Sequence, residues 1–177
     1  MRLLLLLVLA FLLLSASPAV SAGEAAGPEP YQAQIIGAAR TFDVPPRLIA
    51  AIMRQESGFN PWAVNVAGRG HMPGSREDAL HIANQAWAAG KSFDVGLMQI
   101  NSYWLRRFGF TPEYVIDPER NIIIGTWILA QEIKRYGLGW QAVASYHTPV
   151  NKNTERARKY AAAVISHLKQ IPPVEAE

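Results

Sequence analysis

A glutamate in the sequence occupies a position that helical periodicity assigns to an apolar side chain. The residues of this series fall at i, i+3, i+4 and i+7 and are Ile49, Ile52, Met53 and Glu56. Burial, and the negative end of the helix dipole at the last turn, would both raise the pKa of the Glu56 carboxyl. A carboxylic acid that stays protonated near neutral pH is suited to general acid catalysis. Alternatively, Glu56 turns to solvent or pairs with Arg54 or another arginine.

Other kinds of catalytic centre are not indicated. The chain has no cysteine, which excludes disulfide scaffolds, thiolate-bound metals, thiol enzymes and lipid attachment through an N-terminal cysteine. The four histidines form no metal-binding motif and are His71, His81, His147 and His167. We therefore expect no metal and no cofactor. The formal charge of +3 over 177 residues is too small to indicate a nucleic-acid partner.

The segments that must position Glu56 are predicted to be helices. Capping residues, prolines at the first helical position and glycines after the last one mark these segments. The predicted helices run from Pro45–Pro46 to Gly58, over Ser75–Ala89, from Asp117–Pro118 to Gly137, and from Asn153–Thr154 to about Leu168, with shorter turns over Gln99–Phe108 and Trp140–Tyr146. Since no stretch shows the alternating pattern of a strand, the fold class predicted from the sequence is all-α.

The first 22 residues have the pattern of a secretory signal peptide. Arg2 precedes an uninterrupted apolar run over Leu3–Leu14, and small residues then lead to a cleavage pattern that ends at Ala22. Twelve residues rise about 18 Å as a helix, short of the roughly 30 Å hydrocarbon core, and an uncleaved membrane anchor is the alternative. We expect residues 23–30 to be a linker, 31–168 the packed domain and 169–177 a flexible tail.

Three short motifs occur in order along the predicted domain. They are Gln-Glu-Ser-Gly-Phe-Asn-Pro at 55–61, Gly-Leu-Met-Gln-Ile-Asn at 96–101 and Ala-Val-Ala-Ser-Tyr-His at 142–147, with Asp-Pro opening a helix between the last two. In this order they resemble the lytic transglycosylases with a soluble-transglycosylase domain, which are relatives of goose-type lysozyme. The resemblance covers about residues 31–168 and is greatest to the small accessory transglycosylases of type III secretion and conjugation systems. It implies a lysozyme-like helical domain with an inserted helix.

The resemblance implies a role for Glu56 as the catalytic carboxylate. The family cleaves the β-1,4 bond between N-acetylmuramic acid and N-acetylglucosamine in peptidoglycan. Glu56 would protonate the glycosidic oxygen, the acetamido group of the substrate would stabilise the anomeric cation, and the ionised Glu56 would take a proton from the muramyl 6-hydroxyl. A 1,6-anhydromuramyl end would result. This mechanism belongs with the substrate-assisted exceptions to the usual pair of carboxylates.

The resemblance also assigns substrate-binding residues: Ser57, Met98, Gln99, Asn101, Tyr146 and His147. Met98 and Gln99 would line the groove, and Tyr146 would lie beside Glu56 and orient it by a hydrogen bond. Ser57 would hold either the helix end or the sugar. The alternatives are that Met98 fills the core and that Tyr146 is an aromatic residue at the wet edge of the core.

The chain departs from the family pattern at three places. The spacing of 43 residues between Glu56 and Gln99 is long, and the insert, at about 67–92, could lid the groove, contact a partner or only pack. The usual Asn after the tyrosine is replaced by His147, which is either a polar sugar contact or a loop cap. Asp94 is expected to be a turn or cap residue. If it reached the groove it could instead act as a second carboxylate and favour hydrolysis, whereas Asn101 replaces an Asp of goose-type hydrolases and favours transglycosylation.

The sequence thus predicts a periplasmic peptidoglycan lytic transglycosylase that opens the cell wall locally for a secretion or conjugation apparatus. Its expected partners are peptidoglycan glycan strands and components of that apparatus. We expect no nucleic acid and no integral membrane anchor after cleavage of the signal peptide. The alternatives are a hydrolytic muramidase on the same fold and a wall-binding assembly factor without catalytic activity.

Overall fold

The structure is a computed structural model that describes residues 27–149 and 151–174. The predicted signal peptide, residues 1–22, and the first part of the predicted linker lie outside the described residues. After a short 3-10 turn at Glu29–Tyr31, the helices are α1 (Gln32–Phe42), α2 (Pro46–Ser57), α3 (Arg76–Ala88), α4 (Ser102–Phe108), α5 (Pro112–Val115), α6 (Pro118–Tyr136), α7 (Trp140–His147) and α8 (Thr154–Gln170). The strands are β1 (Val64–Val66), β2 (Arg69–His71), β3 (Phe93–Val95) and β4 (Ile100–Asn101).

The predicted helix ends are confirmed by their capping contacts. The side chains of Ser75, Asp117 and Asn153 each accept a hydrogen bond from a backbone N–H of the first turn of α3, α6 and α8. Gly58 ends α2 in the left-handed conformation, with a φ of 58° that glycine adopts at little cost. These local contacts satisfy backbone groups that the helix itself leaves unpaired, so they fix where the helices begin and end.

The prediction of an all-α fold is confirmed only in part, because the described residues are mostly helical but a small sheet lies among the helices. Its four strands are antiparallel in the order β2-β1-β3-β4. Val95 in β3 pairs with Val64 in β1 on one side and with Ile100 in β4 on the other. Strands of two or three residues are too short to show an alternating pattern, which is why the sequence did not reveal them. The sheet brings Asp94 between Asn65 and Asn101.

The predicted insert contains strand β2, which is an edge strand of this sheet, and helix α3, which packs beside the sheet. Ala79, Ala83 and Ala86 share one face of α3 and are buried, and α3 contacts β1, β3 and α5. The predicted helix within the insert is therefore confirmed. Small side chains on this face let α3 lie close to the sheet that carries Asp94.

Helix α2 runs through the core and presents Glu56 at its end. Ile49, Ile52 and Met53 are fully buried, as the helical spacing predicted, and α2 packs against α1 and α8. Helix α8 continues two residues past position 168, and Ile171 beyond it is buried. The guanidinium of Arg47 donates hydrogen bonds of 2.8 Å to the carbonyl oxygens of Leu168 and Ile171. The start of α2 is thus tied to the end of α8.

Within the described residues, none of the helices has both the length and the apolar composition needed to cross a membrane.

Candidate active site

Glu56 lies in the last turn of α2 with its carboxyl turned into the protein. Its Oε1 accepts a hydrogen bond of 2.5 Å from the hydroxyl of Tyr160, so its partner is a phenol rather than an arginine. Burial raises the pKa of Glu56 to about 7, and the nearby charge of Asp94 adds to this rise. The hydrogen bond from Tyr160 opposes the rise, because it stabilises the ionised form. Glu56 can therefore both hold and release a proton near neutral pH.

Tyr160 is a site residue that the sequence analysis missed. It is 104 residues from Glu56 along the chain, on helix α8, and its side chain is 7% exposed. Helical spacing predicts that Tyr160 lies with Val164 and Leu168 on the apolar, inward face of the last helix. That inward position is the one signal in the sequence that points to it, because nothing local shows which residue a distant helix will contact.

The Gly-Leu-Met-Gln loop, residues 96–99, which is the loop before and including Gln99, is hydrogen-bonded to the end of α2 through Ser57. The Ser57 hydroxyl lies 2.8 Å from the carbonyl oxygen of Leu97 and 3.1 Å from that of Met53, and its side chain is buried. The structure therefore places Ser57 in the role of holding the helix end. Because Ser57 follows Glu56 directly, this contact holds the loop against the backbone next to Glu56.

Gln99 ends the loop in a strained backbone conformation, with a φ of 46°. Its amide Nε2 donates hydrogen bonds to the carbonyl oxygens of Ala63, at 3.0 Å, and Gly96, at 2.9 Å. The side chain of Gln99 is partly buried. Its amide nitrogen stabilises the loop, which is a role that the sequence analysis did not assign to it.

The side chain of Met98 is fully buried and packs on helix α6 against Gly125 and Thr126. The prediction that Met98 lines the groove is therefore wrong for its side chain, and the alternative, core filling, is correct. Asn121 of α6 accepts a hydrogen bond of 2.8 Å from the backbone N–H of Met98. The Asn121 amide also donates to the carbonyl oxygen of Val95. Helix α6 thereby stabilises the position of the loop over residues 96–99.

Tyr146 lies close to Glu56 but does not orient it. Its hydroxyl donates a hydrogen bond of 2.7 Å to the carbonyl oxygen of Met98, so the predicted bond to Glu56 is replaced by the one from Tyr160. Burial raises the pKa of Tyr146 well above its usual value, and the charges of Glu56 and Asp94 raise it further. This electrostatic effect shows that the two carboxyls and the phenol share one region of the protein.

Asp94 is in the middle of strand β3 rather than in a turn or a helix cap, which corrects the expectation for it. The Asn101 amide donates a hydrogen bond of 2.7 Å to Asp94 Oδ1, and the Asn101 Oδ1 caps α4 through the backbone N–H of Tyr103. Burial raises the pKa of Asp94, and the bond from Asn101 opposes this. Asn101 therefore orients the second carboxyl near the site.

His147 is the last residue of α7, and its ring stacks on the ring of Tyr160. The ring centroids are 4.8 Å apart and the planes differ by 18°. Its Nδ1 lies 2.7 Å from the hydroxyl of Thr148. Burial lowers the pKa of His147, and the charge of Arg156 lowers it further. His147 thus contacts the same phenol that contacts Glu56.

The family model described as the transglycosylase SLT domain matches residues 33–168, which include Glu56, Tyr160 and the loop before Gln99. The chain belongs to the transglycosylase SLT domain family.

Relatives of this SLT domain include proteins named for secretion and invasion. The chain is 31% identical over 129 residues to the protein IpgF of Shigella sonnei, covering 70% of this chain and 71% of IpgF. It is 28% identical over 145 residues to the invasion protein IagB of Salmonella typhi, covering 79% and 78% of the two chains. It is 37% identical over 94 residues to the type IV secretion system protein virB1 of Brucella abortus. That match covers 52% of this chain and 40% of virB1, so it spans two-fifths of that relative's length.

A solved structure confirms a lysozyme-like SLT fold. It is the lytic transglycosylase Slt from Pseudomonas aeruginosa, as an inactive mutant, and the TM-score is 0.55 at 20% sequence identity. The match covers 84% of this chain and 26% of Slt. At this identity the likeness shows that the fold is shared.

In this SLT domain the carboxyl of Glu56 can therefore gain or lose a proton near neutral pH, and the carboxyl of Asp94 lies nearby. Among residues 27–149 and 151–174, no group of three or more His, Asp or Glu side chains is placed to hold a metal ion. The chemistry that this arrangement can perform is proton transfer to and from a bound substrate by Glu56, with Tyr160 stabilising its ionised form.

Proposed function

We propose that this protein is a peptidoglycan lytic transglycosylase in which Glu56 acts first as general acid and then as general base. One observation carries the proposal: Glu56 is turned into the protein at the end of α2, where burial raises its pKa to about 7. A carboxyl with that pKa is protonated in a large fraction of molecules at neutral pH and is still basic enough to take the proton back.

The proposed reaction uses this one carboxyl for both proton transfers. Protonated Glu56 donates its proton to the glycosidic oxygen between N-acetylmuramic acid and N-acetylglucosamine, and the C–O bond breaks. The acetamido group of the substrate stabilises the positive charge at the anomeric carbon. The muramyl 6-hydroxyl then bonds to that carbon and gives its proton to ionised Glu56. The enzyme returns to its starting state, the product is a 1,6-anhydromuramyl end, and no water is consumed.

Tyr160 and the loop before Gln99 have supporting roles in this proposal. The Tyr160 hydroxyl stabilises Glu56 in its ionised state, between the two proton transfers. Acid–base catalysis by one group contributes roughly two to four orders of magnitude. Correct placement of the glycan strand must supply much of the remaining acceleration. The attachment of the loop to α2 through Ser57 supports such placement, because it holds the loop against the end of α2, next to Glu56.

A hydrolytic muramidase on the same fold is the second candidate, and the position of Asp94 favours it. Asp94 lies near enough to raise the pKa of Glu56, and Asn101 holds one of its oxygens. A second carboxylate beside the acid could activate a water molecule, as in the usual pair of glycosidase carboxylates. The two candidates differ in the product, because hydrolysis adds one water to the new end and transglycosylation does not.

The cellular role that we propose is local opening of the cell wall for a secretion or conjugation apparatus in the periplasm. Support comes from the names of the relatives, which include an invasion protein and a type IV secretion system protein.

We also propose that residues 1–22 are removed as a signal peptide, because of the apolar run and the small residues before Gly23. Sequencing the N-terminus of the protein recovered from periplasm should then give Gly23, and an N-terminus at Met1 would contradict this.

The test of the proposed activity compares two glutamate variants. Glu56→Gln keeps the shape of the side chain but cannot donate a proton in this way, so muropeptide release from purified peptidoglycan should fall about 10²- to 10⁴-fold. Glu132→Gln is the matched control, because Glu132 is also a partly buried glutamate whose pKa burial raises, but it lies on α6. It should keep wild-type activity. Release by Glu56→Gln at the wild-type rate would overturn the proposal.

A further inference from the structure

The imidazole of His147 covers one face of the phenol that contacts the catalytic carboxyl. The two rings are nearly parallel, with 18° between their planes and 4.8 Å between their centroids. At the other end of the phenol, the Tyr160 hydroxyl lies 2.5 Å from Glu56 Oε1. His147 is therefore connected to Glu56 through one intervening side chain. No acid–base step in the proposed function uses His147.

Both ends of this contact are held in place by their helices. His147 is the last residue of α7, and the backbone N–H of Thr148 closes the helix on the carbonyl of Ala144 at 2.9 Å. The Thr148 hydroxyl lies 2.7 Å from His147 Nδ1 and limits rotation of the imidazole. Tyr160 lies on α8, which packs against α7. A rotation of the phenol away from Glu56 toward the stacked face would have to displace the imidazole.

We propose that His147 is a positioning residue, whose stacked ring keeps the Tyr160 hydroxyl directed at Glu56. The inference rests on the proposed function, since it assigns a supporting contact to the same site. It also differs from the sugar contact that the family resemblance implied for this position. An aromatic pair in this offset, near-parallel arrangement is stabilising beyond its buried area, so the stack can hold the phenol in one orientation.

The charges around His147 favour a geometric role over an electrostatic one. Arg156 on α8 is the cation whose charge lowers the pKa of His147, and burial acts in the same direction. The groups that act on the Tyr160 phenol are the carboxyl of Glu56 on α2 and the phenol of Tyr146 on α7, and Asp94 on β3 acts on Tyr146. Both influences favour the neutral imidazole, so a neutral aromatic ring should replace it.

The test measures the initial rate of muropeptide release at subsaturating peptidoglycan as a function of pH. The wild-type rate should fall as the pH rises through the pKa of Glu56, because the ionised carboxyl cannot act as the acid. Tyr160→Phe removes the hydrogen bond that lowers this pKa, so the midpoint of the fall should move to higher pH. His147→Ala should move it in the same direction and reduce the rate about 2- to 10-fold.

Two further variants separate stacking from a sugar contact. His147→Phe keeps an aromatic ring on Tyr160 and should return the midpoint and most of the rate to the wild-type values. His147→Asn, with the residue that the family pattern carries, should behave like His147→Ala. In the Tyr160→Phe background, His147→Ala should cause no further shift of the midpoint, because the bond that it positions is already absent.

The control is His81→Ala on α3, whose ring is exposed and lies 2.9 Å from the Gln85 amide. It should match the wild type in rate and midpoint. A wild-type midpoint in His147→Ala would overturn the inference, and so would a normal rate in His147→Asn combined with a loss in His147→Phe, which would indicate a sugar contact. Failure of the proposed function is separate: there, Glu56→Gln would still release muropeptides.

Discussion

At the scale of single residues, the site depends on opposing effects on one carboxyl. Burial and the charge of Asp94 raise the pKa of Glu56, and the hydrogen bond from Tyr160 lowers it. Together these effects bring the pKa of Glu56 to about 7. The balance also implies that removing Asp94 and removing the Tyr160 hydroxyl should have opposite consequences.

Asp94→Asn should therefore shift the pH dependence of activity to lower pH. The variant removes a negative charge that favours protonated Glu56, so Glu56 should ionise at a lower pH and the rate at neutral pH should fall. The measurement is the rate of muropeptide release from about pH 4 to pH 9. Asp78→Asn, at an exposed position of α3, is the control and should leave the curve unchanged. A midpoint that moves upward would contradict this prediction.

Complete loss of release by Asp94→Asn at every pH would have a different meaning. It would assign Asp94 a direct role and would favour the hydrolytic muramidase, in which the second carboxylate activates water.

The sequence revealed Glu56 but not its partner, and the reason is physical. Glu56 could be predicted because it interrupts an apolar series within a single helix, which is a local pattern. The choice of Tyr160 over Tyr146 as its hydrogen-bond donor depends on how α7 and α8 pack, and their packing is a property of the tertiary fold. Met98 was ambiguous for the same reason, since burial of a methionine depends on its neighbours.

At the scale of elements, helix α6 supports the loop before Gln99 through close packing. A methyl group added at Gly125 would lie 2.5 Å from the Met98 sulfur and 2.7 Å from the Met98 Cβ, and the latter cannot move without the backbone. The loop backbone at Met98 also accepts the hydrogen bond from Tyr146. Glycine at position 125 thus allows the loop to lie against α6.

Gly125→Ala should destabilise the protein by about 1–3 kcal/mol, because overpacking outweighs the better helix propensity of alanine. The free energy of unfolding from urea titration is the measurement. Gly37→Ala is the matched control, since Gly37 is also inside a helix but has no atom within 4 Å of the added methyl. It should stabilise the protein by about 0.5–1 kcal/mol. Equal effects of the two substitutions would show that the close contact at Gly125 has no energetic consequence.

The elements also differ in how well the sequence predicts them. Helices α2, α3, α6 and α8 have capping side chains or a terminal glycine, which act within a few residues and can be recognised in the sequence. Helix α1 begins at Gln32 without a side-chain cap and was not predicted. The strands are stabilised by partners up to about thirty residues away, as in the pairing of Asn65 with Asp94. Their short lengths leave no periodicity to detect.

At the scale of the whole molecule, the raised pKa of Glu56 costs stability. Its ordinary pKa is 4.5, and in the folded protein it is about 7, so the folded state binds this proton more tightly than the unfolded state does. Stability should consequently fall as the pH rises from about 4.5 to about 7 and stay reduced above that range. A site that is prepared for acid catalysis is in this sense destabilising.

Glu56→Gln should therefore be more stable than the wild type at about pH 8, by about 1–3 kcal/mol, and nearly equal to it at about pH 4. Unfolding in urea at the two pH values measures this. The control is Glu77→Gln on the exposed face of α3, which should show no such difference. If Glu56→Gln were only as stable as the wild type at the higher pH, or less stable, then burial would not disfavour the ionised form of the Glu56 carboxyl.

The central claim, that one carboxyl performs an intramolecular transfer without water, is tested most directly by the mass of the products. Purified peptidoglycan is digested by the wild-type protein in water enriched in heavy oxygen, with Glu56→Gln as the inactive control, and the released muropeptides are analysed by mass spectrometry. We predict products with 1,6-anhydromuramyl ends that are lighter by one water than hydrolysis products and carry no heavy oxygen at the new end. Products that are heavier by one water, with heavy oxygen at the anomeric carbon, would contradict the transglycosylase account.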